Sequence, residues 1–444
     1  MKRPRRASQP GERAALLAAR IARHWARRRP RRGLLALLGP GLITGASDDD
    51  PSGIATYSQA GAQFGYSMVW VMLFTWPLMA AIQEISARIG RVTGHGISGN
   101  IRRHYPPWLL RAIVGLLLIA NIINLGADLG AMGEALRLLI GGPPHLYVVA
   151  FAVGCGLLEI FVRYERYVSI LKWTSVSLLA YVAVALVVDV PWPEVAYHLV
   201  VPSLSWDKDY IVAIVAVLGT TITPYCVFWQ SSQEAEDERV DPASHALIEA
   251  PEEARSEINR IRIDTYLGMG FSNVISLFII ITTAATLNAH GITDIQTSSQ
   301  AAEALRPIAG VFTFALFAAG IIGIGVLAVP VLAGSAAYAL GEALDWPTGL
   351  ARRPLDAKAF YGAIAAATLI GVLINFVHLD PIKALFWSAV INGVVAVPLM
   401  AVIMLMAMQR EVMGAFTLPR PLWAMGWLST GAMGVAVAAM FLTW

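Results

Sequence analysis

From residue 34 onward this chain alternates long apolar runs with short polar or basic punctuation. Runs long enough to cross a bilayer fall at 34–64, 67–90, 109–140, 146–162, 168–190, 209–232, 264–288, 308–340, 359–379, 382–408 and 421–443. A helix needs about 20 apolar residues to span hydrocarbon, so the pattern predicts eleven transmembrane helices. Two of the runs are interrupted. In the first, residues 45–58 read GASDDDPSGIATYS. A carboxylate at mid-bilayer costs roughly 2.5–3.5 kcal/mol on insertion scales, so three together need water, a partner or a cation. Pro51 removes a helical N–H and Gly53 loosens the chain, so the helix should part there and expose backbone carbonyls beside the acids.

The sixth run carries the second interruption, GTTITPY at 219–225. Each interrupted helix opens a block of five, and five is odd, so the second block enters the membrane from the opposite side. That is the expectation for inverted repeats whose broken helices meet at the midplane. The predicted fold is an all-α polytopic membrane protein. Residues 34–190 form the first five-helix repeat, 209–408 the second, and 421–444 an eleventh helix.

Composition agrees with the pattern. The 444 residues are 57% hydrophobic and 14% charged, far from the ~25% charge of soluble domains. Residues 1–33 are arginine-rich and lack the apolar core and cleavage site of a signal peptide. They read as a cytoplasmic tail near anionic lipid rather than a nucleic-acid arm. With the N-terminus inside, all of the 33 Lys and Arg except Arg137, Lys208, Arg306 and Lys383 fall on inner segments, which places the C-terminus outside. Gln233–Arg262 reads as a solvated, partly helical cytoplasmic loop, and 189–209 as an interfacial aromatic segment. Cys155 and Cys226 sit in spans, so no disulfide framework is indicated. There is no HExxH, no GxSxG and no pair of His ligands, so an enzyme is not expected. Neither a cofactor nor a nucleic-acid partner is expected, and a monomer in a cell membrane is compatible with everything above.

Four ungapped segments resemble the Nramp family of divalent metal transporters. They are GPGLITGASDDDPSGIATYSQAGAQFGY at 39–66, SARIGRVTGHGIS at 86–98, GADLGAMGEAL at 126–136 and GTTITPYCVFWQSS at 219–232. The resemblance implies a LeuT-like fold in which spans 1 and 6 unwind at mid-membrane and hold metal between them. Members that carry transition metals read Asp-Pro-Gly-Asn in the first span and Met-Pro-His in the sixth. This chain has Asp50-Pro51-Ser52-Gly53 and Thr223-Pro224-Tyr225, a pattern similar to the Nramp-related magnesium transporter branch, where the ion keeps much of its water.

The chemistry of that departure is consistent. A thioether favours transition metals over hard ions, and Thr223 replaces it with a hydroxyl. Gly53 contributes backbone and space. Asp50, Thr223 and carbonyls near Asp50 and Thr220 would make a roomy oxygen-only site, suited to an ion such as Mg²⁺ that sheds water reluctantly. Mn²⁺ should also pass. Asp49 is a further candidate, through water or through the field at the entrance, although Asp48 or Asp49 could instead cap a half-helix. Asn392 lies near the stretch where relatives place a glutamine at the metal. Proton-coupled relatives carry Asp and Glu in the third span and histidines in the sixth. Here Asp128 remains, but Ala131, Tyr225 and Gln230 occupy the other positions. Uncoupled import driven by the membrane potential is therefore expected, since two charges gain about 4.6 kcal/mol per 100 mV. Glu84 and Glu134 are expected in interfacial or vestibule water, Cys226 in packing, and His198, His290 and His378 outside any metal site. The rival readings are a proton-coupled Mn²⁺/Fe²⁺ importer, an aluminium carrier, a non-transporting sensor, and a sodium-coupled organic-solute transporter on the same fold.

Overall fold

The computed structural model describes residues 40–161, 178–240, 244–377 and 380–444. The basic tail, the basic segment at 163–172, the start of the fifth run and His378 lie outside the described residues. The described elements are helical. In chain order they are α1 (Pro40–Asp48), α2 (Pro51–Phe64), α3 (Val69–Thr93), α4 (Ile97–His104), α5 (Pro107–Ile140), α6 (Pro144–Phe161), α7 (Leu179–Val187) and α8 (Trp192–Val200). There follow α9 (Lys208–Thr221), α10 (Pro224–Val240), α11 (Ala254–Thr286), α12 (Thr313–Ala343), α13 (Lys358–Ile374), α14 (Pro381–Met408) and α15 (Arg420–Thr443).

Among the described residues, eight helical runs are long and apolar enough to cross a membrane. One of them, Pro51–Thr93, joins the second half of the first span to the whole of the second. The first and sixth spans are each split, as α1/α2 and α9/α10. In both, a proline opens the second half, at Pro51 and at Pro224. Its missing N–H is no loss at a helix start but would be one inside a helix.

The broken helices sit among unbroken ones. α5 packs against α12, α14, α13 and α6, while α11 lies along α1, α2 and α3. α9 packs on α14, where a Cβ added at Gly219 would strike the Ala389 carbonyl and the Gly393 backbone. α1 approaches α11 equally closely, with Gly45 against the backbone of Gly268. These contacts bring the two breaks to one level.

The segment expected to be a solvated loop differs at its start. α10 runs on to Val240, and Gln233, Glu234 and Glu236 are buried. Each acid has a partner: Glu234 pairs with Arg260, and Glu236 accepts the N–H groups of Leu350 and Ala351 at 3.2 and 2.7 Å. Glu84, too, is buried rather than wet, because Arg88 one turn on pairs with it. Glu134 pairs with Arg137 at 3.2 Å.

Candidate cation site

Three consecutive aspartates occupy the first break, and none reaches solvent: Asp48 and Asp49 are 1% exposed and Asp50 0%. Asp50 is the N-cap of α2. Its Oδ1 accepts the Gly53 N–H at 2.8 Å and the Ser52 hydroxyl at 2.6 Å. Pro51 at the first helical position makes this a strong start signal. The capping duty considered for Asp48 or Asp49 thus falls to Asp50.

The second oxygen of Asp50 faces away from the cap. It accepts the Asn124 amide of α5 at 2.9 Å and lies 3.2 Å from the Tyr225 hydroxyl of α10. Tyr225 also donates to the Ser47 carbonyl at 2.6 Å, tying the sixth-span break to the first. Gly53 is the point where the two breaks touch. A Cβ there would lie 3.2 Å from both the Asp48 carbonyl and the Thr220 hydroxyl. That hydroxyl is buried with no hydrogen-bond partner.

The other two acids turn to a different neighbour. Asp48 Oδ1 accepts from Thr223 at 3.3 Å, and its Oδ2 lies 3.3 Å from the Ser272 hydroxyl of α11. Asp49 Oδ1 lies 3.1 Å from Ser272 and 3.0 Å from Ser276. The three acids thus divide, Asp50 toward Asn124 and Tyr225, Asp48 and Asp49 toward Ser272. Accordingly, among the described residues no three His, Cys, Asp or Glu side chains converge as a ready-made metal centre.

Of the residues singled out by sequence, Asp50, Gly53 and Thr220 come together directly. Thr223 faces Asp48 rather than Asp50. Asn392 is one residue removed: its amide lies 3.5 Å from Asn124 Oδ1, which also accepts the Ser388 hydroxyl at 2.8 Å. Asp128 lies one turn along α5, with Oδ2 3.5 Å from the Asn124 amide. The Cys226 thiol lies 3.8 Å from the Thr44 carbonyl, with Thr223 and Tyr225 as neighbours. Asn124, Ser272, Ser276 and Ser388 were missed. The polar series Asn121, Asn124 and Asp128 in apolar α5, and Ser272 with Ser276 in α11, have the helical spacing that marks one face. That spacing was the available signal.

Buried carboxylates beside unpartnered hydroxyls, all at the junction of two half-helices, can surround a cation with oxygen and retained water. Among the described residues, the side-chain hydrogen bonds to Asp50 come from Ser52, Asn124 and Tyr225, and none comes from an imidazole.

Comparison with known proteins agrees with this architecture. The sequence profile described as natural resistance-associated macrophage protein-like (Nramp) matches residues 41–443. The divalent metal cation transporter MntH of Acidiphilium cryptum (strain JF-5) is 28% identical over 426 residues, which is 92% of this chain and 90% of that protein. A crystal structure of the Eremococcus coleocola manganese transporter, in complex with an aromatic bis-isothiourea substituted compound, aligns with a TM-score of 0.73 at 19% identity. The alignment covers 91% of this chain and 85% of that one. The nucleobase-cation-symport-1 transporter Mhp1, in a closed conformation, aligns with a TM-score of 0.57 at 15% identity, over 91% and 92% of the two chains. The fold is LeuT-like.

Proposed function

Because the chain belongs to the Nramp family, we propose that it carries divalent metal cations across a membrane, with partly hydrated Mg²⁺ as the main cargo and Mn²⁺ as a second. The observation that supports this most is the setting of Asp50. One carboxylate stands between two helix breaks, with the unpartnered Thr220 hydroxyl on the far side of Gly53. An oxygen-only site suits hard cations, and Mg²⁺ keeps its water where few charged ligands compete for it. Asp50, Thr220 and backbone carbonyls near Gly53 would contact the ion, Thr223 would contact it from the Asp48 side, and Asn392 would act through Asn124. The two five-helix repeats, 34–190 and 209–408, would rock about this point with the N-terminus inside, and the eleventh helix, 421–444, would lie beyond them.

Transport in this reading is uncoupled and driven by potential. One observation favours the rival, a proton-coupled Mn²⁺/Fe²⁺ importer: Asp128 stands beside Asn124, which holds Asp50. Flux into proteoliposomes distinguishes them. Mg²⁺ entry that grows with an inward-negative potential and leaves lumenal pH unchanged is the expected result. Acidification in step with Mn²⁺ entry, without Mg²⁺ flux, would establish the rival.

A further inference from the structure

On the α11 side of the first break a buried donor and a buried acceptor are both without a hydrogen-bond partner. Asp49 Oδ2 is buried and has no hydrogen-bond partner. The Tyr57 hydroxyl, fully buried on α2, has no partner at hydrogen-bond geometry either, and it lies beside Ser276, which itself bonds Asp49. Buried polar atoms are rarely left unpaired, so an open acceptor on Asp49 and an open donor on Tyr57, both next to Ser276, call for a further partner.

Counting hydroxyl protons sharpens the point. Thr223, Ser272 and Ser276 have one each. Ser272 is within reach of both Asp48 Oδ2 and Asp49 Oδ1 but can serve only one of them. Ser276 is shared between Asp49 Oδ1 and the Ser272 carbonyl, both at 3.0 Å. None of the ion pairs among the described residues involves Asp48, Asp49 or Asp50. Two adjacent carboxylates are therefore short of positive partners.

We infer that Asp48, Asp49, Ser272 and Ser276, with the Tyr57 hydroxyl reaching in through water, form a second divalent-cation station, distinct from the one at Asp50. Its donors are all oxygens, so it takes hard cations of the Mg²⁺ and Mn²⁺ class. Charge balance points the same way. Asp48, Asp49, Asp50 and Asp128 are all buried, and when ionised they carry four negative charges. One divalent ion leaves two of these uncompensated, a monovalent companion leaves one, and a second divalent ion leaves none. The side chains divide accordingly: Asp50 and Asp128 share Asn124, whereas Asp48 and Asp49 share Ser272.

This inference rests on the reading that divalent cations enter the bundle, and stoichiometry separates the two. The probe is Mn²⁺, counted by equilibrium dialysis and electron paramagnetic resonance on the full chain in nanodiscs. The wild type should hold two ions, broadened by each other because their ligands are consecutive residues. Asp49→Asn and the milder Ser272→Ala/Ser276→Ala pair should each leave one ion and remove the broadening, and Asp50→Asn should leave one as well. The serine pair keeps every charge, so its count decides if Asp49→Asn does not fold. One ion in the wild type, unchanged in the serine pair, would overturn the second station and leave the proposed cargo intact. No Mn²⁺ bound to the wild type would overturn both.

Discussion

At the scale of single residues, Asp50 has two duties that mutation can separate. It ends a helix and presents a charge, so Asp50→Ala should abolish Mg²⁺ and Mn²⁺ flux into proteoliposomes and remove one of the two binding events in a calorimetric titration. Loss of the cap costs only about 0.5–2 kcal/mol, and the buried charge goes with it, so the fold should survive. Unchanged flux with both binding events retained would remove Asp50 from the site. Thr223→Met tests softness. A thioether set between Asp48 and the sixth-span break should raise the Mn²⁺ to Mg²⁺ preference roughly tenfold, about 1.4 kcal/mol, and an unchanged ratio would argue that Thr223 does not face the ion. The breaks themselves were legible in the sequence because Asp50-Pro51 and Thr223-Pro224 are local signals. Which way each aspartate points was not legible. That is decided by Asn124, 74 residues away, and by Ser272, 223 residues from Asp49, and one sequence carries no direct sign of such pairings.

At the scale of elements, the turns between helices are as closely bonded as the helices. The α3–α4 turn begins at Gly94, with φ of 67° in the left-handed region that glycine adopts freely. Asn100 donates to the His95 and Gly96 carbonyls at 2.8 and 3.0 Å, and Glu342 of α12 accepts the N–H groups of Gly96 and Gly99 at 3.2 and 3.0 Å. Partial burial, reinforced by Arg103, Arg239 and Arg102, pushes the His95 imidazole down from 6.5 to about 4. The folded state thus holds His95 neutral, whereas the unfolded chain takes up a proton below about pH 6.5. The stability this contributes is complete above pH 6.5 and is lost as pH falls toward 4. Thermal unfolding in detergent at pH 7.5 and pH 5 should show a larger drop for the wild type than for His95→Gln, and equal drops would refute the assignment. Reading Gln233–Arg262 as solvated went wrong at its start, where Gln233, Glu234 and Glu236 are buried. Charge runs usually mark water-facing surface, but here Arg260 and the backbone of 350–351 lie where water was expected.

At the scale of the whole molecule, hydropathy and the two local break signals were enough to anticipate an all-α bundle with two broken spans. Loop burial and the partition of the acids came only with the assembled helices. One contact set governs how the bundle could open. α1 has nine residues, rests on α11 through Gly45, and is latched by the Gly41 N–H donating to Asp264 at 2.8 Å. Beneath it the Cys226 thiol meets the Thr44 carbonyl. If ions leave by lifting this short rod, the chain already contains its own reporter. In a Cys155→Ser background, Cys226 should react with a maleimide slowly at rest and several-fold faster in Asp264→Ala, and equal rates would show that the rod stays down. A sulfur beneath the rod would then time the cargo's departure.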